Sequence, residues 1–201
     1  MFGEYLIARQ GVPLPPIDLS NFYEYILAGN GVFVRAARKE FQAMVLVTPC
    51  HVSGLEKLDP YVNLNGGRLP MTCTQAILGD FRAASPMERL LWVILDDRTY
   101  TVYAPPQIAL ASKVAPVDPQ DPMGVNAFMD IHSHGQFPAG FSLDDDQDEL
   151  RHRIRIFAVI GTIEDAPQVL VRVVIHGHEG YFPAASIMEL PDEVKDCLYG
   201  N

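Results

Sequence analysis

Two histidines one residue apart, followed by an acidic segment, are the residues of this sequence whose types and spacing best fit metal chemistry. His132 and His134 come directly after the apolar run 128–131, which predicts a buried strand. Alternate residues of a strand point to the same side, so the two imidazoles can face one point. Asp145, eleven residues after His134, offers a carboxylate as a third ligand. Three such ligands and one open position are the pattern of a catalytic zinc site.

The segment that contains Asp145 also fits a purely structural role. It begins at Ser142, is rich in Asp and Glu, and ends in basic residues at 151–155, which is the charge order that stabilises a helix. Ser142 is then the N-cap of that helix, and Ser142-x-x-Asp145 is an ordinary capping box. Taken alone, this spacing favours the cap, and an isolated His-x-His is often incidental. The metal prediction therefore depends on the joint spacing of all four residues.

This joint spacing resembles the motif of the JAMM zinc metalloproteases, which are also called MPN-plus or JAB proteins. The motif reads His-x-His, seven residues, Ser, two residues, Asp, and it covers residues 132–145 here. The resemblance extends over about residues 70–190 and implies that His132, His134 and Asp145 bind Zn2+. Gly135 departs from the pattern, since a proline often follows the second histidine, but this change removes no ligand.

The same resemblance implies a glutamate upstream of the metal ligands, and this position falls on Glu88. Glu88 follows Pro86 and precedes the apolar run 90–95, as the family pattern requires. Glu88 is then expected to act as a general base and later as a general acid, and Ser142 is expected to stabilise the oxyanion. Ser85-x-x-Glu88 also has the spacing of a capping box, so a helix cap is the structural alternative for Glu88.

The resemblance implies an α/β (α+β) fold, in which a mixed β-sheet is flanked by helices and has the cytidine-deaminase-like core of MPN/JAB proteins. We expect three parts: an N-terminal α+β accessory domain at 1–69, the zinc protease domain at 70–190 and a C-terminal tail at 191–201. Turn-forming residues concentrate before the first boundary and include Gly66 and Gly67.

Periodicity and turn residues predict the elements within these parts. Residues 1–19 contain several prolines and are expected to be irregular, and 21–28 is predicted as a short helix that ends at glycine. The proline-rich segment 104–124 is predicted as a long loop, and the resemblance implies that it holds the extended tail of a substrate. The other predicted elements are a helix over 70–84 and strands over 32–35, 43–47, 90–95, 99–103, 156–161 and 169–175.

Composition restricts the classes of function. The chain has 201 residues, a formal net charge of −10 and a pI near 4.9, which argues against a nucleic-acid-binding protein. No apolar run is long enough for a membrane span, and no N-terminal segment has the pattern of a secretory signal. The three cysteines, at positions 50, 73 and 197, are widely spaced, as expected for reduced thiols in a cytoplasmic protein.

Three other features could carry chemistry, but each has a simpler interpretation. Cys50 and His51 are adjacent, but no second ligand lies at a suitable spacing. Cys73 falls inside a predicted helix, where a buried cysteine usually acts as a small apolar residue. His176 and His178 form a second His-x-His, but no carboxylate follows at a matching distance.

The resemblance implies a zinc-dependent isopeptidase or peptidase that cleaves after the C-terminus of a ubiquitin-like modifier. The segment 155–161 and the N-terminal region look like those of bacterial members, namely PRTRC system protein A and the JAMM components of bacterial ubiquitin-like conjugation operons. In such operons, activating and conjugating enzymes are the partners of the protease. The identity of the modifier, the type of scissile bond and the oligomeric state stay open at this point.

Two other functions fit parts of the sequence. A non-catalytic MPN scaffold would bind partners without hydrolysis, but such proteins typically lose metal ligands, whereas Glu88, His132, His134 and Asp145 are all present. A zinc-dependent nucleobase deaminase would need a Pro-Cys-x-x-Cys segment, and this chain has no Cys-x-x-Cys. The metalloprotease is therefore the interpretation that uses all of the motif residues.

Overall fold

The structure, a computed structural model, describes residues 4–19, 22–149 and 152–198. These residues form a five-stranded sheet, a seven-stranded sheet, a two-stranded hairpin and a few helices. The fold is therefore a mixed α+β fold dominated by strands, which confirms the predicted fold class. Within the described ranges, no helix is long and apolar enough to cross a membrane.

The first sheet contains the N-terminal strands in sequence order, with β1 and β5 at its edges. Its strands are β1 (Glu4–Ile7), β2 (Glu24–Ala28), β3 (Gly31–Ala37), β4 (Phe41–Pro49) and β5 (Tyr61–Leu64). β1 runs parallel to β2, and the other neighbours are antiparallel. The predicted strands 32–35 and 43–47 fall within β3 and β4, so this pair is confirmed.

Two N-terminal predictions are wrong. Of the segment 21–28, predicted as a helix, residues 24–28 form strand β2, residues 22–23 precede the strand without helical structure, and residue 21 lies outside the described residues. The side chains of β2 are alternately more and less buried, which is the period of a strand, and backbone pairing with both β1 and β3 fixes this conformation. The segment 1–19 contains β1 rather than irregular structure alone. The N-terminal region is therefore all β, not α+β, as far as the structure describes it.

The second sheet has the strand order β13-β12-β11-β10-β6-β7, with β14 beside β12. Its strands are β6 (Leu90–Asp96), β7 (Thr99–Tyr103), β10 (Met129–Ser133), β11 (Ile154–Gly161), β12 (Gln168–Ile175), β13 (His178–Phe182) and β14 (Lys195–Asp196). β10 is parallel to β11 and antiparallel to β6. β10, which carries His132, is therefore an interior strand that is paired along both of its edges.

The helices are short, and they connect or cover the strands. They are α1 (Met71–Ala84), α2 (Pro122–Asn126), α3 (Leu143–Glu149) and a 3-10 turn at Ala184–Ser186. α1 confirms the helix predicted over 70–84, and it buries Ile77, Leu78 and Phe81.

The segment 104–124 is more ordered than the predicted long loop. It contains the hairpin of β8 (Gln107–Leu110) and β9 (Lys113–Pro116), followed by the start of α2. The prolines of this segment lie at the ends of the hairpin or beyond it, so the residues between them keep their backbone donors and can pair.

One apolar cluster lies between the two sheets and α1. It combines Val34 of β3 with Ile131 of β10 and Phe81 of α1, all fully buried. The predicted boundary after residue 69 falls between β5 and α1, and both sides of it contribute to this cluster. The independence of the N-terminal part therefore stays a prediction. In the predicted C-terminal tail, 191–201, which is described as far as residue 198, β14 pairs with β12 of the second sheet.

Candidate metal centre

The two histidines lie at the C-terminal end of β10. Met129, Ile131 and Ser133 are fully buried on one face of this strand, whereas His132 points to the opposite face and lines a cleft. His134 is the first residue after the strand and lines the same cleft. The alternation of the strand thus brings both imidazoles to one side, as the spacing predicts.

Ser133, the residue between the histidines, fixes β10 against the segment that carries Glu88. The Ser133 amide donates to the Arg89 carbonyl at 2.9 Å, and the Arg89 amide donates to the Ser133 hydroxyl at 2.9 Å. Arg89 is itself held to α1 by an ion pair with Asp80 at 2.8 Å. Since Glu88 precedes Arg89 and His132 precedes Ser133, this pairing sets the position of the carboxylate relative to the imidazoles.

His132, His134 and Asp145 are the group of potential metal ligands found among the described residues, and their ligand atoms lie within 4.8 Å of one another. The Nε2 atoms of the two histidines are 3.2 Å apart, and His132 Nε2 is 3.4 Å from Asp145 Oδ1. Zinc bonds of about 2.0–2.1 Å in a tetrahedron place ligand atoms about 3.3–3.4 Å apart. The three side chains could therefore hold a metal ion, and they leave a fourth position for water or substrate.

Asp145 is presented by the first turn of α3, with Ser142 as the residue before the helix. The Ser142 amide and hydroxyl donate to Asp145 Oδ2 at 2.7 and 2.6 Å, and the Asp145 amide donates back to Ser142 Oγ at 3.2 Å. This reciprocal pattern is a capping box. The cap and a metal role are compatible, because Oδ2 belongs to the cap whereas Oδ1 faces His132.

His132 and Asp145 are in protonation states that suit metal binding at neutral pH. Burial lowers the pKa of His132 to about 4, although the charge of Asp145 opposes the shift, so the ring is neutral. Burial alone would raise the pKa of Asp145, but the charge of His132 and hydrogen bonds from Ser142 outweigh it and lower that pKa. Metal ions bind the neutral imidazole and the ionised carboxylate, which are the forms present here.

Glu88 lies between α1 and β6 and lines the same cleft as the histidines. Its side chain is only 6% exposed, and its amide donates to the Leu110 carbonyl at 2.8 Å. Burial, and then the charge of Asp145, raise the pKa of Glu88 to about 7. A carboxyl group that titrates near neutral pH can both accept and donate a proton under physiological conditions.

The capping alternative for Glu88 is wrong. Ser85 closes the C-terminal end of α1, where its amide donates to the Phe81 carbonyl at 3.1 Å, and the element that follows Glu88 is strand β6. No helix begins between Ser85 and Glu88 that a capping box could stabilise. The burial of this carboxylate therefore has no explanation in helix capping.

A cleft of about 950 Å³ joins the predicted site residues to the hairpin β8–β9. All five predicted site residues line it, namely Glu88, His132, His134, Ser142 and Asp145. Residues 112–116 of the hairpin form another part of its wall. Gln107 binds this wall to the site, because its side-chain oxygen accepts from the Leu90 amide at 2.8 Å and its nitrogen donates to the Leu90 carbonyl at 3.1 Å. The amide side chain thus takes the place of a neighbouring strand.

The loop between His134 and Ser142 depends on two glycines. Gly135 adopts a φ of 53°, a conformation that is closed to the proline expected at this position. A Cβ at Gly161 of β11 would lie 2.3 Å from backbone atoms of the loop, so the loop rests directly on that strand. These contacts fix the path of the chain from the first two ligands to the third.

No protein-family model and no curated protein matches this chain. Among solved structures, the chain is similar to the solution structure of protein DSY2949 from Desulfitobacterium hafniense, with a TM-score of 0.44. That match has 16% sequence identity and covers 66% of this chain and 94% of the other. The functional interpretation of the cleft therefore depends on its own residues.

The other sequence candidates do not belong to this group. His178 Nε2 lies 2.7 Å from the Tyr25 hydroxyl, and the His176 ring packs 4.5 Å from the Tyr23 ring, so both histidines take part in an aromatic contact between the sheets. Cys73 is a free, half-buried thiol of α1 that packs against the main core. These positions match the simpler interpretations given for them.

Sequence reasoning misses three residues that contact the segments carrying the site residues: Ser133, Gln107 and Arg172. A polar residue between two histidines of a buried strand is a signal for Ser133, and a lone charge in the apolar run 168–175 is a signal for Arg172. Gln107 has no comparable signal, because its contacts exist only once the hairpin has formed. The contacts of Arg172 are described below.

Proposed function

We propose that this chain is a zinc-dependent peptidase of the JAMM type, which cleaves after the C-terminus of a ubiquitin-like modifier. The observation that carries the proposal is the convergence of His132, His134 and Asp145 at metal-binding distances, with Glu88 and Ser142 lining the same cleft. These are the five positions to which the resemblance assigns metal binding, proton transfer and oxyanion stabilisation. A capping box alone accounts for Ser142 and Asp145 but not for the other three residues.

Zinc is the metal that suits this set of donors. Two neutral imidazoles and one carboxylate are a usual ligand set of catalytic zinc, and the pair separations of 3.2 and 3.4 Å fit its tetrahedral geometry. When bound, zinc supplies a Lewis acid that lowers the pKa of water from ~16 toward ~7. The protein's own task is to hold the three ligands and to keep one position open.

Glu88 is the residue that moves the proton. As a carboxylate it accepts the proton of the attacking water, and it then donates that proton to the amine nitrogen as the carbon–nitrogen bond breaks. In the metal-free protein, a pKa of about 7 leaves both forms of Glu88 populated near neutral pH. The backbone on either side is fixed by Leu110 and Ser133, so the carboxylate needs little rearrangement during the reaction.

Ser142 supplies a hydroxyl at the edge of the cleft. Its Oγ donates to Asp145 Oδ2 at 2.6 Å, and rotation about one side-chain bond turns this donor toward an oxyanion that develops in the cleft. The Ser142 amide continues to hold Asp145 at 2.7 Å after that rotation. One residue thus serves both as the cap of α3 and as a donor to the transition state.

The rim of the cleft supports a protein substrate rather than a small molecule. Val125, Phe137 and Leu143 line the cleft and are 61%, 59% and 79% exposed. Exposed apolar side chains gathered at one site are typical of surfaces that bind another protein. The hairpin β8–β9 adds a long wall to the cleft, which suits an extended peptide segment such as the tail of a ubiquitin-like protein.

The biological context of the proposal comes from the resemblance to PRTRC system protein A and to the JAMM components of bacterial conjugation operons. It places the enzyme in a bacterial cytoplasm, together with a ubiquitin-like modifier and the activating and conjugating enzymes that use it. An isopeptide and a precursor peptide are both amides, so the chemistry given above applies to either bond.

The proposal is tested by incubating the purified chain with ubiquitin-like proteins that are fused, or joined by isopeptide bonds, to a reporter protein. We expect cleavage directly after the modifier, loss of cleavage with a chelator, and recovery when zinc is restored. Tight binding of the modifier without cleavage, at full zinc occupancy, would instead indicate a non-catalytic scaffold. Equal cleavage with and without the chelator would exclude a metalloenzyme.

A further inference from the structure

Helix α3, which presents Asp145, has little apolar attachment over its described residues, Leu143–Glu149. These residues are almost wholly acidic in sequence. Their one apolar residue, Leu143, is 79% exposed, whereas Glu149 is buried. A helix of this length is unstable in isolation, and burial of an apolar face is what usually stabilises it in a protein. Another interaction must therefore hold α3 in place.

Arg172 of β12 supplies that interaction. Its side chain is only 2% exposed, and Nη2 lies 2.7 Å from Asp146 Oδ1 while Nε lies 2.7 Å from Glu149 Oε2. The two carboxylates are three residues apart on α3 and therefore occupy one face of the helix. The guanidinium also lies over the ring of Phe141, 3.9 Å from its centre, just before the helix begins. One buried cation thus contacts both ends of the segment 141–149.

The burial of Glu149 shows how strongly this arrangement depends on the cation. Burial raises the pKa of Glu149, whereas the charge of the neighbouring Arg172 guanidinium opposes that shift and favours the ionised carboxylate. Without the guanidinium, this carboxyl would stay buried with no positive partner from β12, which is costly. When Arg172 is removed, we therefore expect α3 to leave the sheet, rather than to keep its position with Glu149 buried and unpaired.

We propose that Arg172 is a positioning residue of the metal centre, which holds α3 on the second sheet and thereby delivers Asp145 to His132 and His134. This inference rests on the proposed metal site. Partners outside the metal ligands typically contribute ~10–100-fold to metal affinity, and we expect the effect of Arg172 to lie in this range. The histidines stay in place without it, because β10 is held by its own neighbours.

The chain offers matched controls for this proposal. Glu179 of β13 is a third carboxylate on Arg172, at 3.0 Å from Nη1, but it lies outside α3. Asp146 and Glu179 are similarly exposed, at 47% and 50%, so replacing either by alanine tests one ion pair without opening the core. Arg35 controls for the loss of a buried arginine, because it pairs with Glu24 at 2.6 Å in the first sheet.

The experiment measures zinc affinity by competition with a chromophoric chelator for the wild type and for Arg172→Met, Asp146→Ala, Glu179→Ala and Arg35→Met. Hydrogen exchange of residues 141–149 and the visible spectrum of the cobalt-substituted protein are recorded in parallel. We expect Arg172→Met and Asp146→Ala to weaken zinc binding ~10–100-fold, to speed exchange in 141–149 and to change the cobalt spectrum as one ligand is lost. Glu179→Ala and Arg35→Met should stay within about twofold of the wild type, well below that range.

Each outcome decides between the alternatives. The inference is overturned if a folded Arg172→Met variant has the zinc affinity and the cobalt spectrum of the wild type. It is also overturned if Asp146→Ala and Glu179→Ala lose zinc affinity equally. If Arg172→Met does not fold, that second pair of variants decides alone. If the wild type binds no zinc, the proposed function itself fails, which is a different result from a wild type that binds zinc without needing Arg172.

Discussion

The metal centre combines two supports of different kinds, strand β10 and helix α3. β10 is interior to the second sheet, paired along both edges, and its inward residues Ile131 and Ser133 are fully buried. α3 is short and acidic, and among its described residues Asp146 and Glu149 form ion pairs with one arginine, Arg172. The histidines therefore belong to the core of the fold, whereas Asp145 belongs to a segment that electrostatics holds in place. This difference indicates that the strand sets where the metal binds and the helix sets whether its coordination is complete.

The largest effect is expected from the strand side. His132→Ala combined with His134→Ala removes two of the three ligands at once, so zinc content should fall from about one per chain to a background level. The fold should persist, since both side chains point into the cleft rather than into the core. Metal analysis of the purified variant, with circular dichroism as the control for folding, checks this outcome. Full zinc in the double variant would place the site elsewhere and make His176 and His178 the next candidates.

The next effect is expected at the start of the helix. Ser142→Ala removes a donor to the oxyanion and should lower the rate of cleavage ~10²–10³-fold, while the lost cap costs only about 1 kcal/mol of stability. Ser142→Thr keeps the hydroxyl and is also a good N-cap, so it should retain most of the activity and serves as the matched control. Single-turnover cleavage and thermal unfolding of the two variants separate these contributions. A cap without a catalytic role would make Ser142→Ala slightly less stable but nearly as fast as the wild type.

A smaller effect, on the free energy of unfolding of the metal-free protein, is expected from Glu88, whose neighbour Arg89 is hydrogen-bonded to Ser133 of β10. In the chelated protein, burial raises the pKa of Glu88 from 4.5 to about 7, so between these pH values the folded state keeps a proton that the unfolded state has lost. The free energy of unfolding therefore falls as pH rises through this window, by about 3 kcal/mol from this residue. Glu88→Gln has no titrating group at this position, so its free energy of unfolding does not fall for this reason.

The stability of Glu88→Gln relative to the wild type should thus increase from pH 4.5 to pH 7 and stay level above it. Glu56→Gln, at an exposed position, should follow the wild type across the range. Denaturant unfolding of the chelated proteins at a series of pH values measures the difference. A constant offset between Glu88→Gln and the wild type at every pH would show that this carboxyl is not held in a desolvated site.

The strand side of this comparison could be predicted from sequence to a large extent. An apolar run followed by His-x-His specifies a buried strand with two side chains on one face, and both features are local. The helix over 70–84 could also be predicted from the sequence, because α1 has the apolar spacing of a helix and ends where expected. The site residues Glu88, His132, His134, Ser142 and Asp145 all line one cleft, although their chemical roles stay predictions.

The elements that the sequence did not predict depend on interactions between distant parts of the chain. The segment 21–28 has apolar residues that fit a helix, but pairing with β1 and β3 makes it a strand. The prolines of 104–124 indicate a loop, but the short run between them forms a hairpin that Gln107 binds to β6. The lone charge of Arg172 in an apolar run signals a buried partner, but the sequence does not identify Asp146 and Glu149, which Arg172 meets only in the folded protein.

The central claim is that Glu88 and the metal ligands form one catalytic centre, and single-turnover cleavage by zinc-loaded Glu88→Gln tests it most directly. Gln keeps the size of the side chain but cannot accept a proton from water, so the rate should fall ~10²–10⁴-fold while zinc content and fold are unchanged. Glu189→Gln, a similar change at a carboxylate that accepts from the Met71 amide at the start of α1, is the control and should cleave at the wild-type rate. Cleavage by zinc-loaded Glu88→Gln at the rate of the wild type would contradict the account.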